Sequence, residues 1–376
     1  MRDYAVGAAV LGHLSAFYFY AYAGLQIPVG LLLDRLGPQR LMGVACASTG
    51  VGCLLFATSE AIVWGYAGRL IIGAGCAFSW VGTLAIVNQW FPARFALLAG
   101  VSQMIAMVGA VLGQAPLAVL VDSLGWRSTT IVLGVLGLVL SLMLIAVVRD
   151  RKSETQKSDQ ATLGTLSVLR NPQTWLTAGF ALSMTGPLLA FGALWGVPYL
   201  ITAYEMERAE AAFIASLVFV GNGLGAVFLG WWSDRIGLRR LPMACGASLT
   251  IMAQCILIFV PGLSHGQLVV LALMIGIGGA SLVVAFACGR EHNLARHVGL
   301  TIGVINTATV GSGALFQPII GWVLDLQWTG SMFNGAPVYD AQMYRWALGI
   351  LPLSSLLGLS LLLLIQETHA RRVSIQ

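Results

Sequence analysis

Apolar residues in this chain come in long runs separated by short polar loops. Eleven runs are long enough to cross a bilayer as helices, at about 5–32, 41–58, 62–90, 99–121, 128–148, 174–201, 211–232, 241–260, 267–289, 299–323 and 346–365. The hydrocarbon core of a bilayer takes roughly 20 apolar residues of helix, which these runs supply. Most of the 45 glycines lie inside them. In water such glycines weaken a helix; in lipid they let helix backbones approach closely. Trp64, Trp90, Trp175, Trp231, Trp232 and Trp346 stand near run ends, as an interfacial aromatic belt requires.

Composition makes the same demand. Of 376 residues, 58% are hydrophobic and 9% charged, with a mean hydropathy of +0.85. A soluble domain carries about 25% charged residues, so the surface of this chain must face lipid. The net charge of +5 is spread over short loops, which excludes a nucleic-acid partner. When alternate loops are assigned to one side, 15 of the 20 Lys and Arg fall together, and the positive-inside rule makes that side cytoplasmic. An odd number of spans then puts the C-terminus in the cytoplasm, and a bacterial inner membrane is the expected location. The first run is too long for a cleavable signal segment. The six cysteines lie within apolar runs without metal-ligand or CxxC spacing and read as small packed hydrophobes. No nucleotide-binding loop, HExxH motif or nucleophile elbow occurs, so no enzyme, cofactor or metal is expected.

The one long polar stretch, 149–173, contains RDRKSETQKSDQ and reads as a mobile linker. It divides the chain into residues 1–148 and 174–376, and the two parts repeat each other. Gly30, Asp34, Arg35, Gly37 and Arg40 recur as Gly230, Asp234, Arg235, Gly237 and Arg240, at an offset of 200. Further on, Gln114 and Pro116 before Asp122 match Gln317 and Pro318 before Asp325. Gly37 and Gly237 permit a tight turn at a helix end. The aspartates can accept from a neighbouring helix N-terminus, and the arginines can latch to acidic or carbonyl groups. Duplicated halves about a linker are a carrier signature.

GxxxDRxGxxR between two spans, met twice, resembles the loop motif of the major facilitator superfamily. RLIIGAG at 69–75 resembles that family's RxxxGxG motif on its fourth helix. The resemblance covers essentially the whole chain. It implies an all-α membrane protein of two pseudo-symmetric six-helix bundles rocking about a central cavity, without cofactor and as a monomer. One departure follows. A full span, 174–201, precedes the helix that ends at Asp234, but only 33 residues precede Asp34. The family's first helix therefore has no counterpart here, and eleven rather than twelve spans are expected. A start taken at an internal Met is the favoured account, and a shortened gene the other.

In the family scheme the third, sixth, ninth and twelfth helices are lipid-facing, and polar groups concentrate on the rest. The cavity candidates are Tyr18, Tyr22, Arg69, Trp80, Gln114, Trp195, Asn222 and Asn306. The two DR loops are the gating candidates. Arg290 and Glu291 are expected to pair with the motif loops. All 15 acidic residues lie in loops or at run ends, so no carboxylate relay is expected mid-membrane, and His13 is the candidate proton site. The expected activity is secondary transport of a small polar solute. NPQTW at 171–175, LWGVPYL at 194–200 and GREHN at 289–293 resemble a branch handling amino acids or short peptides. The competing reading is a non-transporting membrane sensor or truncated pseudo-carrier.

Overall fold

The computed structural model describes residues 7–26, 28–29, 32, 38–90, 95–113, 115–148, 167–294, 298–333 and 336–369. The fold is all-helical apart from a two-residue pairing, Met332–Phe333 with Ala336–Pro337. In the first half the helices are α1 (Ala8–Gly24), α2 (Pro38–Thr58), α3 (Ile62–Trp90), α4 (Phe95–Leu112), α5 (Ala115–Leu124) and α6 (Trp126–Val147). The second half holds α7 (Pro172–Gly186), a π-helical stretch (Pro187–Trp195), α8 (Gly196–Tyr204), α9 (Arg208–Ile236) and α10 (Arg240–Phe259). It continues with α11 (His265–Gly279), α12 (Leu282–Glu291), α13 (Val298–Leu326), α14 (Ala341–Leu348) and α15 (Ile350–Leu361). The π stretch begins at Pro187, which has no N–H to give to the preceding turn.

Among the described residues nine helical segments are long and apolar enough to cross a membrane. The first and last of the eleven expected runs are helical as well, but as shorter elements, α1 and the pair α14–α15 divided at Gly349. The linker ends earlier than 173. Residues 167–170 are helical, the Asn171 side chain accepts from Gln173 N to cap α7, and Pro172 fits its first turn. Leu133, Leu136, Leu140 and Leu142 on α6 and Leu353, Leu356 and Leu357 on α15 are exposed, a surface suited to hydrocarbon.

Glycines set the packing. In α3 a methyl on Gly73 would lie 2.1 Å from the Tyr18 carbonyl oxygen of α1, and one on Gly75 would lie 2.4 Å from the Ala45 carbonyl of α2. The second half repeats this 203 residues later. A methyl on Gly276 would meet the Val218 carbonyl of α9 at 2.1 Å, and one on Gly278 the Gly246 carbonyl of α10 at 2.4 Å. The RxxxGxG stretch is thus a wedge on which two neighbours close.

The halves meet along α1 and α13, and where α9 packs on α4 and α5. On α1 a methyl at Gly12 would sit 2.6 Å from the Gln317 carbonyl oxygen. On α13 one at Gly321 would sit 2.4 Å from the Ala8 carbonyl oxygen. The halves are unequally covered: within the Pro172–Tyr204 span 72% of the apolar 18-residue window is buried, and within Ile105–Leu124 none of the described residues is. In the second half α13 packs on α7; among the described residues nothing fills the corresponding place on α4 and α5.

Gly12→Val and Gly321→Val are expected to force α1 from α13, because the opposing atoms are backbone and cannot rotate aside. Each should destabilise the protein by about 1–3 kcal/mol. Gly24→Ala, where a methyl meets open space, should be close to neutral. Thermal unfolding of the detergent-purified protein checks all three.

Candidate functional site

Polar residues of α1 and of the turn that follows it recur at four-residue spacing, Tyr18, Tyr22 and Gln26, and so share one face. Against this stripe stands Arg69 of α3. Its Nε donates to the Leu14 carbonyl at 3.3 Å, and Nη2 donates to the Ser15 carbonyl at 3.1 Å and to Ser15 Oγ at 3.3 Å. Its Cζ lies 5.3 Å from the centroid of the Tyr18 ring, and the Tyr18 and Tyr22 rings are 5.8 Å apart. Lower on the stripe Asn306 of α13 donates to Gln26 Oε1 at 3.2 Å, joining the halves. Trp80 lies three turns beyond Arg69, about 20° round the α3 axis, on the same side and half-buried.

The structure therefore sets Arg69 against Tyr18, with Tyr22 a turn further on, and sets Asn306 against Gln26 at the far end of the stripe; Trp80 lies on the same side of α3 as Arg69. Gln26, one polar residue among several in the sequence, belongs with them; its four-residue register with the tyrosines was the available signal. Trp195 is fully buried and its Nε1 donates to the Gln317 carbonyl at 3.0 Å, so in this conformation its ring presents no surface to a solute. Asn222 is the counterpart of Tyr22 at the 200-residue offset. It is buried with its Nδ2 lacking a partner in the described structure. His13 is exposed on α1, about 140° round the axis from Tyr18 and near the Tyr20 face. Gln114 lies outside the described residues.

The Arg69 charge is not needed for packing. At the offset that relates Gly73 to Gly276 and Gly75 to Gly278, its counterpart is Ala272, which is fully buried. The second half thus builds the same glycine wedge without a cation. No carboxylate pairs with Arg69 among the described residues, and its acceptors are neutral. The hydrogen bonds it makes to these neighbours use Nε and Nη2.

On the face bearing the motif loops, Gly237 ends α9 in the left-handed conformation at φ 66°. The following Arg239 forms a bidentate pair with Glu291, Nε to Oε2 at 3.1 Å and Nη2 to Oε1 at 2.7 Å. Its Nη1 reaches Ser233 Oγ at 2.8 Å and Asp234 Oδ1 at 2.6 Å. Arg239 and Glu291 side chains are each 5% exposed, whereas Asp234 is 73% exposed. Burial alone would lower the guanidinium pKa, but the Glu291 and Asp234 carboxylates hold it well above its ordinary value. The expected pairing of Glu291 with a motif loop is present. The arginine that makes it is Arg239, not Arg235, which lies over the Trp231 ring, nor Arg240. The doubled arginine at 239–240 was its only sequence signal. Arg40 is exposed. Gly30, Asp34, Arg35 and Gly37 lie outside the described residues, and Gly230 sits where a methyl would meet open space.

A short strap after α15 closes this network. Glu367 accepts from Arg239 N at 2.8 Å and Arg240 N at 2.9 Å, capping α10 from a distance in sequence. His292 bonds the Gln366 carbonyl at 3.1 Å, and Asn171 donates to the His292 carbonyl at 2.8 Å. Asn293 donates to Thr174 Oγ1 at 2.9 Å. The residues that suggested an amino-acid or peptide branch are thus structural ties. Those of GREHN and the start of NPQTW hold the motif face, and LWGVPYL holds the helix core through Trp195 and through Tyr199, whose hydroxyl donates to the Leu257 carbonyl at 3.0 Å.

The sequence profile of the Major Facilitator Superfamily matches this chain twice, over residues 1–208 and 188–375. A probable galactarate/D-glucarate transporter of Bacillus subtilis (strain 168) is 25% identical over 90% of this chain and 82% of its own length. A probable L-galactonate transporter of Escherichia coli (strain K12) is 24% identical, over 86% and 77%. These relatives do not support the amino-acid or peptide branch. Among solved structures, a bacterial homologue of the human lysosomal transporter Spinster, inward-facing and occupied, superposes with a TM-score of 0.78. It covers 97% of this chain and 90% of its own at 15% identity.

Burial raises the Glu367 pKa, but backbone N–H groups of Arg239, Arg240, His369 and Thr368 outweigh it and hold the carboxyl below the usual glutamate value. A depressed carboxylate pKa stabilises the folded state above the unfolded-state value, and that contribution is lost as pH falls through the lowered one. Protection from hydrogen exchange at residues 238–241, corrected for the intrinsic rate at each pH, is therefore expected to be high at neutral pH and to be lost only at pH below the ordinary glutamate range. In Glu367→Gln it should be low at neutral pH already.

Proposed function

The chain belongs to the major facilitator superfamily, a secondary transporter of small organic solutes, and we propose that its solutes are small organic acids of the polyhydroxy-carboxylate kind. Arg69 carries this reading. A guanidinium within a spanning helix is expensive to hold there, and packing does not require it. Its hydrogen-bond acceptors neutralise nothing, and a fixed guanidinium there can make charge-assisted bonds to a carboxylate. The Tyr18 and Tyr22 rings, with Gln26 and Asn306, supply the amphipathic and amide groups that a chain of hydroxyls needs. The named substrates of the two relatives, galactarate or D-glucarate and L-galactonate, have this chemistry.

Alternating access follows from the two-bundle fold. In this reading Asp34 and Asp234 act in gating: the loops they belong to move when the bundles rock, and they do not touch the solute. The motif face is the cytoplasmic one by the charge count of the loops. His13 remains the candidate proton site, a role that needs a solute-coupled titration to support it.

Uptake into proteoliposomes over a panel of sugar acids, neutral sugars and amino acids tests the solute class. Sugar acids should be taken up, with neutral sugars at background. Arg69→Gln should raise KM for the acid by about 10- to 100-fold, the worth of a charge-assisted bond, with Arg69→Lys between the two. Equal uptake of neutral sugars, or an Arg69→Gln variant with unchanged KM, would sink the organic-acid reading. No uptake of any solute would favour the non-transporting sensor. Separately, Asp234→Asn is expected to lower kcat while leaving solute affinity near that of the unaltered protein, and the reverse pattern in a binding-and-turnover comparison would remove Asp234 from the gate.

A further inference from the structure

The two aspartates that follow the repeated Gln and Pro, Asp122 and Asp325, serve neither the solute stripe nor the motif loops. Asp122 lies in the last turn of α5 and Asp325 in the last turn of α13, on the face opposite those loops. Each reaches across to the first turn of a helix in the other half. Asp325 Oδ1 accepts from Ala8 N at 2.9 Å and Oδ2 from Ala9 N at 2.8 Å. The Tyr339 hydroxyl donates to the same carboxylate and accepts from Ala8 N at 2.9 Å. Asp122 Oδ1 accepts from Arg208 Nη1 at 3.1 Å. Ala8 opens α1 and Arg208 opens α9, 200 residues apart, the offset that relates the two motif loops. Carboxylates at matching helix ends thus reach the first turns of matching helices, one through backbone N–H groups and the other through a side chain.

We propose that Asp122 and Asp325 form a paired gate opposite the motif face, and that Asp325 is its dominant latch. The two are unequal for a physical reason. The N-cap of α1 is Gly7, which has no side chain to satisfy the free N–H groups of the first turn. The glycine is also what lets the latch close, since a methyl there would stand 2.9 Å from Asp325 Oδ2. The helix therefore takes its cap, and the charge that complements its dipole, from the opposite half. Parting the halves on this face uncaps α1. The α9 helix has no such dependence: Glu210 lies in its own first turn, and the Arg208–Asp122 pair is about half exposed, with side chains at 53% and 46%. Exposed pairs of that kind contribute little. The inference rests on the two-bundle fold and not on the identity of the solute.

Hydrogen–deuterium exchange on the purified full chain tests it, comparing the unaltered protein with Asp325→Asn and Asp122→Asn. Release of the latch should shift the chain toward a state open on the Asp325 face and closed on the motif face. In Asp325→Asn, exchange should rise about tenfold at that end of α1, α9 and α13. It should fall about threefold at the motif-face ends, residues 231–236 and 300–307. Asp122→Asn should change either end by less than about twofold. A rise confined to residues 8–11 with the motif face unmoved would reduce Asp325 to a local cap and overturn the proposal, as would equal effects of the two variants. Should Asp325→Asn not fold, Tyr339→Phe keeps the carboxylate and removes one donor. The same reciprocal pattern at about threefold is then expected, and its absence overturns the proposal equally.

Discussion

Backbone contact between α1 and α13 is what the two halves of this protein hinge upon. In hydrocarbon, apolar surface gains nothing by leaving lipid for protein, so helices associate through close van der Waals contact and backbone proximity. Gly12 and Gly321 bring the carbonyls of Gln317 and Ala8 to distances that a side chain would forbid. Once α1 is seated there, its first turn reaches Asp325 and its Gln26 reaches Asn306. The seam thereby fixes the Tyr18–Tyr22–Gln26 stripe of one half against α13 of the other.

Against this shared geometry the glycine wedge of the first half carries a charged group that its counterpart lacks. The glycine wedge of α3 reappears in α11 with the same neighbours at the same register, so packing is satisfied in both. Arg69 is added to one of them alone, facing carbonyls and an aromatic ring. The motif face answers to a different constraint. There charges are plentiful, and the buried Arg239–Glu291 pair is satisfied on nearly every donor by Ser233 and Asp234. The network lies within the second half, as a brace for one bundle's loops.

The sequence by itself determined the membrane class, the repeat, the glycine wedge as a motif and the polar stripe on α1, because each is written in periodicity or in residues met twice at one offset. It also supplied Glu291 as a partner of the motif loop. Tertiary structure alone decided which glycine meets which carbonyl, and that Trp195, Asn171 and Asn293 are ties within the fold. A tryptophan or an asparagine has the same letter whether its polar atom faces a solute or a neighbouring helix. The capping of α10 by Glu367 and of α1 by Asp325 was equally hidden. In both cases the partner is a backbone N–H, which every residue but proline possesses, so no side-chain pattern could point to it; only the packing of distant segments brings that particular N–H within reach of that carboxylate.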